Sequence, residues 1–182
     1  MAQATYPIGG KVESFSLKDP SGKDISLQDF AGNKAVVVVF TNNGCPFARQ
    51  YENRLTGLAR TYASRGVQFL FINPSVNQQE GGENRQDMAA KASAGNYTFP
   101  YLADEGQILS GRFGATRTPE VFVLQNLNGD FVLRYKGAID DNPQAADFVK
   151  EPYLRNALEA VLQNQQFQNP ELRAAGCMIR RQ

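Results

Sequence analysis

The spacing of hydrophobic and polar positions predicts alternating strands and helices in the first half of the chain. A continuous apolar run at residues 35–41 has the pattern of a strand buried on both faces of a parallel sheet. Apolar residues then recur at helical spacing, which predicts a helix over residues 46–64. Gly66 ends this helix, and residues 67–73 are a second apolar strand. The three elements predict a βαβ unit with a right-handed crossover.

Two further stretches have the alternation and turn residues of β-hairpins. Residues 15–17 and 23–27 flank a turn that contains proline and glycine, which predicts an N-terminal hairpin extension. Residues 120–124 and 131–135 are joined around Asn128-Gly129, a pair that supplies the positive φ angles of a tight turn. A hairpin beside a βαβ unit makes the predicted central sheet mixed.

The remaining periodic segments predict three more helices and a tail. Residues 83–94 form a polar, Ala-rich helix after a loose loop, and residues 107–113 form a short helix. Residues 153–162 carry their apolar side chains on one face, which suits a helix packed against a sheet. The polar segment 163–182 follows as a C-terminal tail. We therefore expect an α/β fold in a single domain over residues 1–182.

Composition and charge narrow the classes of protein to which the chain can belong. Hydrophobic residues make up 42% and charged residues 20% of the sequence, as in an average globular protein with a buried core. The net charge of +1 creates no field that would hold a polyanion or an acidic bilayer surface. No apolar run reaches the roughly 18 residues of a membrane helix. We therefore expect a soluble protein whose partners include neither nucleic acid nor a membrane.

The residue types exclude several kinds of catalytic chemistry. The chain has no histidine, and its two cysteines cannot complete the four-ligand shell of a structural zinc. Zinc, haem and Ser-His-Asp chemistry are therefore excluded, and no motif implies a cofactor. The compartment stays open. The lack of a basic and apolar signal region favours the cytoplasm, whereas Ala2-Gln3-Ala4 is also consistent with the remnant of a signal peptide cleaved from an exported protein.

Cys45 is the candidate nucleophile. It follows the first long strand and stands at the predicted start of the first helix. The unpaired N–H groups and the positive dipole end of that helix favour a thiolate. Arg49, one turn further on, adds a positive charge that lowers the pKa of the thiol again. The alternative is a buried structural cysteine, since most single thiols do no chemistry. The position between Gly44 and Pro46, at a strand-to-helix junction, favours catalysis.

A second candidate feature, Thr118-Pro119, precedes the strand predicted at residues 120–124. In thioredoxin-like folds a cis proline faces the reactive cysteine and leaves the preceding backbone free to pair with an extended thiol substrate. The alternative is an ordinary proline at the edge of a strand. We favour the first interpretation, because the two features reinforce each other. The residues predicted to line the substrate site are Gly44, Pro46, Phe47, Thr118 and Pro119.

Several segments resemble the redoxin branch of the thioredoxin superfamily, to which alkyl hydroperoxide reductase and thiol-specific antioxidant proteins belong. The segments are residues 36–40, 44–49, 65–69, 98–102 and 116–119. Closer still are small bacterial thioredoxin-like proteins with Cys-Pro-Phe after the first strand, Gly-x-x-Asp-Asp after the hairpin, and a terminal Gly-Cys-x-Ile followed by Lys or Arg. Here these motifs are residues 45–47, 137–141 and 176–180. The resemblance covers residues 6–181 and implies a thioredoxin fold, with a mixed central β-sheet flanked by helices.

The resemblance also implies a thiol oxidoreductase, although the sequence departs from the pattern of both standard activities. Ala48 occupies the place of the second cysteine in a Cys-x-x-Cys motif, and Asn42 stands where peroxidatic proteins have a threonine. A resolving thiol must therefore come from another molecule or from Cys177, the only other cysteine. Cys177 is alternatively an incidental tail cysteine or a site of intermolecular pairing.

Three charged residues have both a functional and a structural interpretation. Arg117, beside the predicted cis proline, is a candidate for stabilising an oxyanion or a thiolate; alternatively it is a solvated surface arginine. Asp140 and Asp141 could form a paired acid or metal site. Adjacent aspartates after a strand usually cap the next turn, which is the interpretation we favour.

These observations support two hypotheses of function. In the first, the Cys45 thiolate attacks a disulfide or a peroxide, and Cys177 or an external thiol such as a thioredoxin resolves the product. The unmatched threonine position favours disulfide exchange. In the second, a non-catalytic redoxin-fold module binds an extended peptide along the cis-proline edge, which the missing second cysteine favours. The expected partners are a thiol or disulfide protein or a peroxide substrate, together with an external thiol reductant.

Overall fold

A computed structural model describes residues 4–78 and 82–182 of the chain. Residues 1–3 and 79–81, on which the N-terminal signal remnant and part of the loose loop were predicted, lie outside the described residues. The helices are α1 (Pro46–Ala63), α2 (Arg85–Ala94), α3 (Ile108–Phe113) and α4 (Tyr153–Leu162). The strands are β1 (Lys11–Val12), β2 (Ser16–Lys18), β3 (Asp24–Ser26), β4 (Ala35–Phe40), β5 (Val67–Asn73), β6 (Tyr101–Ala103), β7 (Arg117–Thr118), β8 (Glu120–Leu127), β9 (Asp130–Gly137), β10 (Glu171–Leu172) and β11 (Cys177–Met178).

Most strands in the described residues pair into one mixed sheet. Their order is β1-β9-β8-β4-β5-β6-β2-β3, with β10 added parallel to β9. The central strand β4 is parallel to β5 on one side and antiparallel to β8 on the other. The short strands β7 and β11 form a separate antiparallel pair. The mixed sheet and its helices confirm the predicted α/β class.

Strand β4 divides the core into two layers. Successive side chains of a strand point to opposite faces of its sheet. Val37 and Val39 therefore join a buried cluster with residues of α1, α2 and α4, whereas Val36 and Val38 join a second cluster with residues of α3. Every residue of β4 is fully buried. This is the doubly buried strand that the apolar run predicted.

Two predicted helix starts are wrong by one or two residues. The helix predicted from residue 83 begins at Arg85, because Asn84 is its N-cap and accepts a hydrogen bond from the Asp87 N–H at 2.8 Å. The helix predicted from residue 107 begins at Ile108, because Gln107 has a left-handed backbone with φ of 59°. The starts and ends of α1 and α4 agree with the prediction to within one residue.

Both predicted hairpins are present, although their lengths differ from the prediction. β8 and β9 extend further towards their turn than predicted, with Asn128 and Gly129 at φ of 55° and 96°. The N-terminal hairpin of β2 and β3 is shorter, since the chain turns into a 3-10 helix at Leu27. It is part of the main sheet, because Lys18 of β2 pairs with Ala103 of β6.

The C-terminal tail returns to the sheet after α4. β10 runs along β9, where Leu172 pairs with Gly137. Gly137 has φ of 128°, and a Cβ atom built there would lie 1.6 Å from the Leu172 carbonyl oxygen. Only glycine fits at this crossing. The tail then continues to β11, which pairs with β7 and so reaches the start of α1.

The loop after β9 is fastened to α1 by a buried ion pair. The Asp140 carboxylate accepts hydrogen bonds from the Arg54 guanidinium and from the Tyr51 hydroxyl, each at 2.8 Å. Asp140 also accepts the Asn142 N–H, and Asp141 accepts the Lys150 N–H at 3.0 Å. Asp140 therefore caps the turn that follows it, as predicted, whereas the backbone N–H that Asp141 accepts lies nine residues further along the chain. Within the two described ranges, no helix has the length and apolar character needed to cross a bilayer.

Candidate redox site

Cys45 lies at the junction between β4 and α1. It is the N-cap residue of α1, with an extended backbone and an exposed fraction of 5%. Pro46 occupies the first position of the helix, where its fixed φ suits the helix and its missing N–H costs nothing. The sulfur is therefore held at the positive end of an 18-residue helix. This is the position that the sequence predicted for the nucleophile.

The loop before Cys45 is held by two polar side chains. Asn42 Oδ1 accepts the backbone N–H of Cys45 at 3.0 Å. The Glu83 carboxylate accepts the N–H groups of Asn43, at 2.8 Å, and of Gly44, at 3.1 Å. Asn42 therefore has a local role at the position where peroxidatic proteins carry a threonine. It fixes the backbone of Cys45 from three residues away.

Glu83 is a contributor to this site that the sequence analysis missed. Asn73 Nδ2 donates to its carboxylate at 2.9 Å, and the Tyr101 hydroxyl donates to Asn43 Oδ1 at 2.9 Å. Burial, and then the charge of Glu83, raises the pKa of Tyr101 well above its ordinary value. The Tyr101 hydroxyl therefore keeps its proton and remains a donor. The pattern Asn84-x-x-Asp87 marks the start of α2 and would have placed Glu83 in the preceding loop.

Cys45 is joined to Cys177 by a disulfide that spans 132 residues of sequence. The S–S distance is 2.08 Å and the two Cα atoms are 6.1 Å apart. Cys177 is half-buried, whereas Cys45 is almost completely buried. The two cysteines that the sequence left with several interpretations are therefore partners in this structure.

The residues before the cis proline bring the tail to Cys45. The Thr118-Pro119 peptide bond is cis. Thr118 pairs with Cys177, and Arg117 with Met178, in the antiparallel ladder of β7 and β11. The Thr118 carbonyl oxygen lies 3.2 Å from Cys45 Sγ. A disulfide sulfur carries no proton, so this is a polar contact that positions the sulfur beside β7.

The two candidate arginines contact backbone carbonyls near the cysteines. Arg49 Nε donates to the Asn43 carbonyl at 3.1 Å, and the Arg117 guanidinium donates to the Gly176 carbonyl at 3.1 Å. In this state the two side chains support the loop before Cys45 and the tail before Cys177. A role in stabilising a thiolate stays a prediction for both.

The other predicted substrate-site residues surround the same junction. Gly44 and Pro46 are exposed, and Phe47 is half-buried. Thr118 is buried with an exposed fraction of 1% and is covered by the tail. Ala48, at the place of a second active-site cysteine, is buried in α1.

Comparison with known families identifies the chain. The family model described as the AhpC/TSA family matches residues 8–141, which include Cys45 and the cis proline. The chain belongs to the AhpC/TSA family. The predicted resemblance to redoxins is therefore confirmed. The matched segment ends before the tail, so Cys177 lies outside the part that the family model describes. No curated protein matches the chain.

Comparison with solved structures shows how far the likeness to other proteins extends. A hypothetical protein from Sinorhizobium meliloti is 29% identical, with a TM-score of 0.87 over 98% of this chain and 97% of its own. An uncharacterized conserved protein from Geobacillus kaustophilus is also 29% identical, with a TM-score of 0.87 over 98% and 94%. Peroxidoxin BcpB from Mycobacterium tuberculosis is 18% identical, with a TM-score of 0.65 over 89% and 99%. The last likeness confirms the thioredoxin-like fold of this redoxin.

Proposed function

We propose that this protein is a thiol peroxidase in which Cys45 reduces a hydroperoxide and Cys177 resolves the oxidised cysteine. The observation that carries the proposal is the Cys45–Cys177 disulfide, which joins the start of α1 to a strand of the tail. A thiol at the start of a helix is stabilised as a thiolate, the form that reacts. The membership of the AhpC/TSA family supports redox chemistry at this cysteine.

The proposed cycle has three steps. The Cys45 thiolate attacks one oxygen of the hydroperoxide, the O–O bond breaks, and the departing alkoxide takes a proton to leave as an alcohol. Cys45 is then a sulfenic acid. The Cys177 thiol attacks the Cys45 sulfur, the S–S bond forms, and hydroxide leaves with a proton as water. Two thiols of an external reductant, such as a thioredoxin, then exchange with the disulfide and are themselves oxidised.

The choice of a peroxide over a protein disulfide departs from the preference drawn from sequence. Attack by Cys45 on the disulfide of a substrate protein would place an extended segment of that protein beside the cis proline. β11 occupies that edge, since Cys177 pairs with Thr118 and the Ile179 N–H donates to the Thr116 carbonyl at 2.8 Å. A hydroperoxide does not need this edge. The same occupancy weakens the alternative of a peptide-binding module, which requires the tail to leave.

Two substrates distinguish the activities. The reduced protein, with thioredoxin, its reductase and NADPH, is supplied with cumene hydroperoxide or with insulin, whose disulfides report protein disulfide reduction. We expect Cys45-dependent consumption of the hydroperoxide and no reduction of insulin beyond that of thioredoxin alone. The matched variants are Cys45→Ser, which should be inactive, and Cys177→Ser, which should consume about one equivalent of hydroperoxide and then stop at the sulfenic acid. Undiminished hydroperoxide consumption by Cys45→Ser would contradict the proposal.

A further inference from the structure

The tail beside Cys177 is bound to β7 by hydrogen bonds that do not involve sulfur. On one side of Cys177 the Arg117 guanidinium donates to the Gly176 carbonyl at 3.1 Å. On the other side the Ile179 N–H donates to the Thr116 carbonyl at 2.8 Å. Neither hydrogen bond uses an atom of the disulfide.

The end of the tail has its own polar contacts. Gln107 Nε2 donates to the Arg180 carbonyl at 2.7 Å, and Gln78 Nε2 donates to the same oxygen at 2.8 Å. The Arg181 guanidinium donates to Ser110 Oγ at 2.7 Å and to the Ala115 carbonyl. Gln107 and Ser110 are buried, so these contacts reach into the body of the protein.

Ile179 adds an apolar anchor between these polar contacts. It has an exposed fraction of 9% and belongs to the same buried cluster as Val36, Val38 and Phe113. Its neighbour Met178 points outward, with an exposed fraction of 73%. Alternation along an extended strand thus places Ile179 in the core and Met178 in solvent. The chain thus offers two adjacent residues, Met178 at the end of β11 and Ile179 directly after it, that differ in burial.

We infer that the segment 176–181 stays docked on β7 when the Cys45–Cys177 bond is open, with Ile179 and Arg181 as positioning residues for Cys177. Docking keeps the Cys177 thiol beside Cys45 at an effective concentration far above the millimolar range of a free flexible tail. Docking also keeps the cis-proline edge closed to extended peptides in the reduced protein. The consequence for substrates rests on the proposed function, whereas docking itself does not.

Amide hydrogen exchange tests docking without any reaction at Cys45. The exchange of the Ile179 amide is measured in the oxidised protein, in the fully reduced protein and in Cys177→Ser. We expect protection of Ile179 to persist in the last two samples, because its acceptor Thr116 and its buried side chain are unchanged. Exchange at the rate of an unstructured peptide after reduction would overturn the inference.

Paired variants test the consequences for reactivity. Ile179→Asp buries a charge and should release the tail, whereas Met178→Asp changes an exposed residue and serves as its control. We expect the conversion of Cys45 sulfenic acid to disulfide to slow by at least about tenfold in Ile179→Asp, the lower end of what burial of an isoleucine contributes. Met178→Asp should stay within about twofold of wild type. Arg181→Ala leaves the core intact and should slow the same step. It replaces Ile179→Asp in this test if Ile179→Asp does not fold.

A peptide probe separates failure of docking from failure of the proposed chemistry. A short extended peptide carrying a mixed disulfide with 2-nitro-5-thiobenzoate is added to Cys177→Ser with and without Ile179→Asp. Release of the chromophore by Cys45 should be at least about tenfold faster with Ile179→Asp, since the edge is then open. Equal rates would overturn the closure of the edge. Absence of sulfenic acid in every variant would contradict the peroxidase proposal alone, because hydrogen exchange and the peptide probe do not depend on it.

Discussion

Cys177 lies opposite Thr118 in the pair of β7 and β11, and the carbonyl oxygen of Thr118 lies 3.2 Å from Cys45 Sγ. One residue of β7 therefore meets both cysteines. The register of this pair decides whether the disulfide can form, because a slip of one residue turns every side chain of a strand to its other face. The features that fix the register are therefore as important as the cysteines themselves.

Gly176 helps to fix the register of β7 and β11, because it lets the tail approach β7 closely. Its replacement by alanine should therefore impair disulfide formation. A Cβ atom at Gly176 would lie 2.5 Å from the Thr118 carbonyl oxygen, so the tail must move away from β7. We expect Gly176→Ala to slow formation of the Cys45–Cys177 bond after oxidation, measured by thiol alkylation and mass spectrometry. Gly57→Ala is the control, because nothing lies within 4 Å of its Cβ. In the interior of α1, Gly57→Ala should stabilise the protein by up to about 1 kcal/mol. Normal disulfide formation in Gly176→Ala would refute the argument from close approach.

The external thiol should attack Cys177 during reduction of the disulfide. Cys177 is half-buried, whereas Cys45 has an exposed fraction of only 5%. Cys45 is also the better leaving group, because the start of α1 stabilises its thiolate. Limited treatment with a small thiol, followed by iodoacetamide and peptide mapping, should give the mixed disulfide on Cys177 and the alkylated thiol on Cys45. The reverse assignment would contradict the proposed geometry.

Loss of Asp140 should destabilise the protein far more than loss of a surface carboxylate. The side chains of Asp140 and Arg54 have exposed fractions of 6% and 15%. Asp140→Ala leaves the Arg54 charge buried without its partner, which should lower the free energy of unfolding by about 3 kcal/mol. The surface pair of Glu159 and Arg65, exposed by 37% and 45%, provides the comparison. Glu159→Ala should cost about 1 kcal/mol or less. Denaturant unfolding of both variants measures the difference, and equal costs would argue against the buried pair as a structural fastening.

Glu120 should make the folded protein less stable as the pH rises. A carboxylate in an ordinary ion pair has the opposite effect, because its pKa is lowered on folding. Burial raises the pKa of the Glu120 carboxyl above its ordinary value of 4.5, against the hydrogen bonds from the Thr116 and Arg117 N–H groups. The folded protein therefore binds this proton more tightly than the unfolded chain does. The resulting stabilisation is complete below 4.5 and is lost as the pH rises through the folded-state pKa.

Glu120→Gln removes this titration and keeps an oxygen that can accept the same hydrogen bonds. We expect the difference in unfolding free energy, variant minus wild type, to become more positive from pH 4 to pH 7. Every ionisable group other than Glu120 is present in both proteins, so its contribution cancels in this comparison. A flat difference for Glu120→Gln would contradict the stated effect of burial.

The parts of the fold that the sequence predicted are those determined locally. Residues 35–40 are consecutive and apolar, so a doubly buried strand follows from them alone. Pro46 after Cys45 marks the start of α1, and Asn128-Gly129 marks the turn between β8 and β9. Each signal lies within a few residues of the element that it predicts, which is why the position of Cys45 was predicted correctly.

The parts that the sequence did not predict depend on contacts between distant residues. β10 and β11 contain two residues each, too few to show a period of two. Their pairing with β9 and β7 depends on the close approach at Gly137 and Gly176. The disulfide follows from the same return of the tail. Glu83 binds the loop before Cys45 from 40 residues away, and no local pattern predicts which backbone groups a loop carboxylate meets.

The measurement that tests the central claim most directly is the intact mass of the reduced protein after brief treatment with hydrogen peroxide, with dimedone present to trap sulfenic acid. Wild type should lose two hydrogens, remain monomeric in mass and take up no dimedone, because Cys177 reacts with Cys45 first. Cys177→Ser should gain one dimedone adduct at Cys45. If wild type gains a dimedone adduct or forms disulfide-linked dimers, Cys177 does not resolve Cys45. If neither protein reacts, Cys45 does not reduce peroxide, and the account of this site as a peroxidase is wrong.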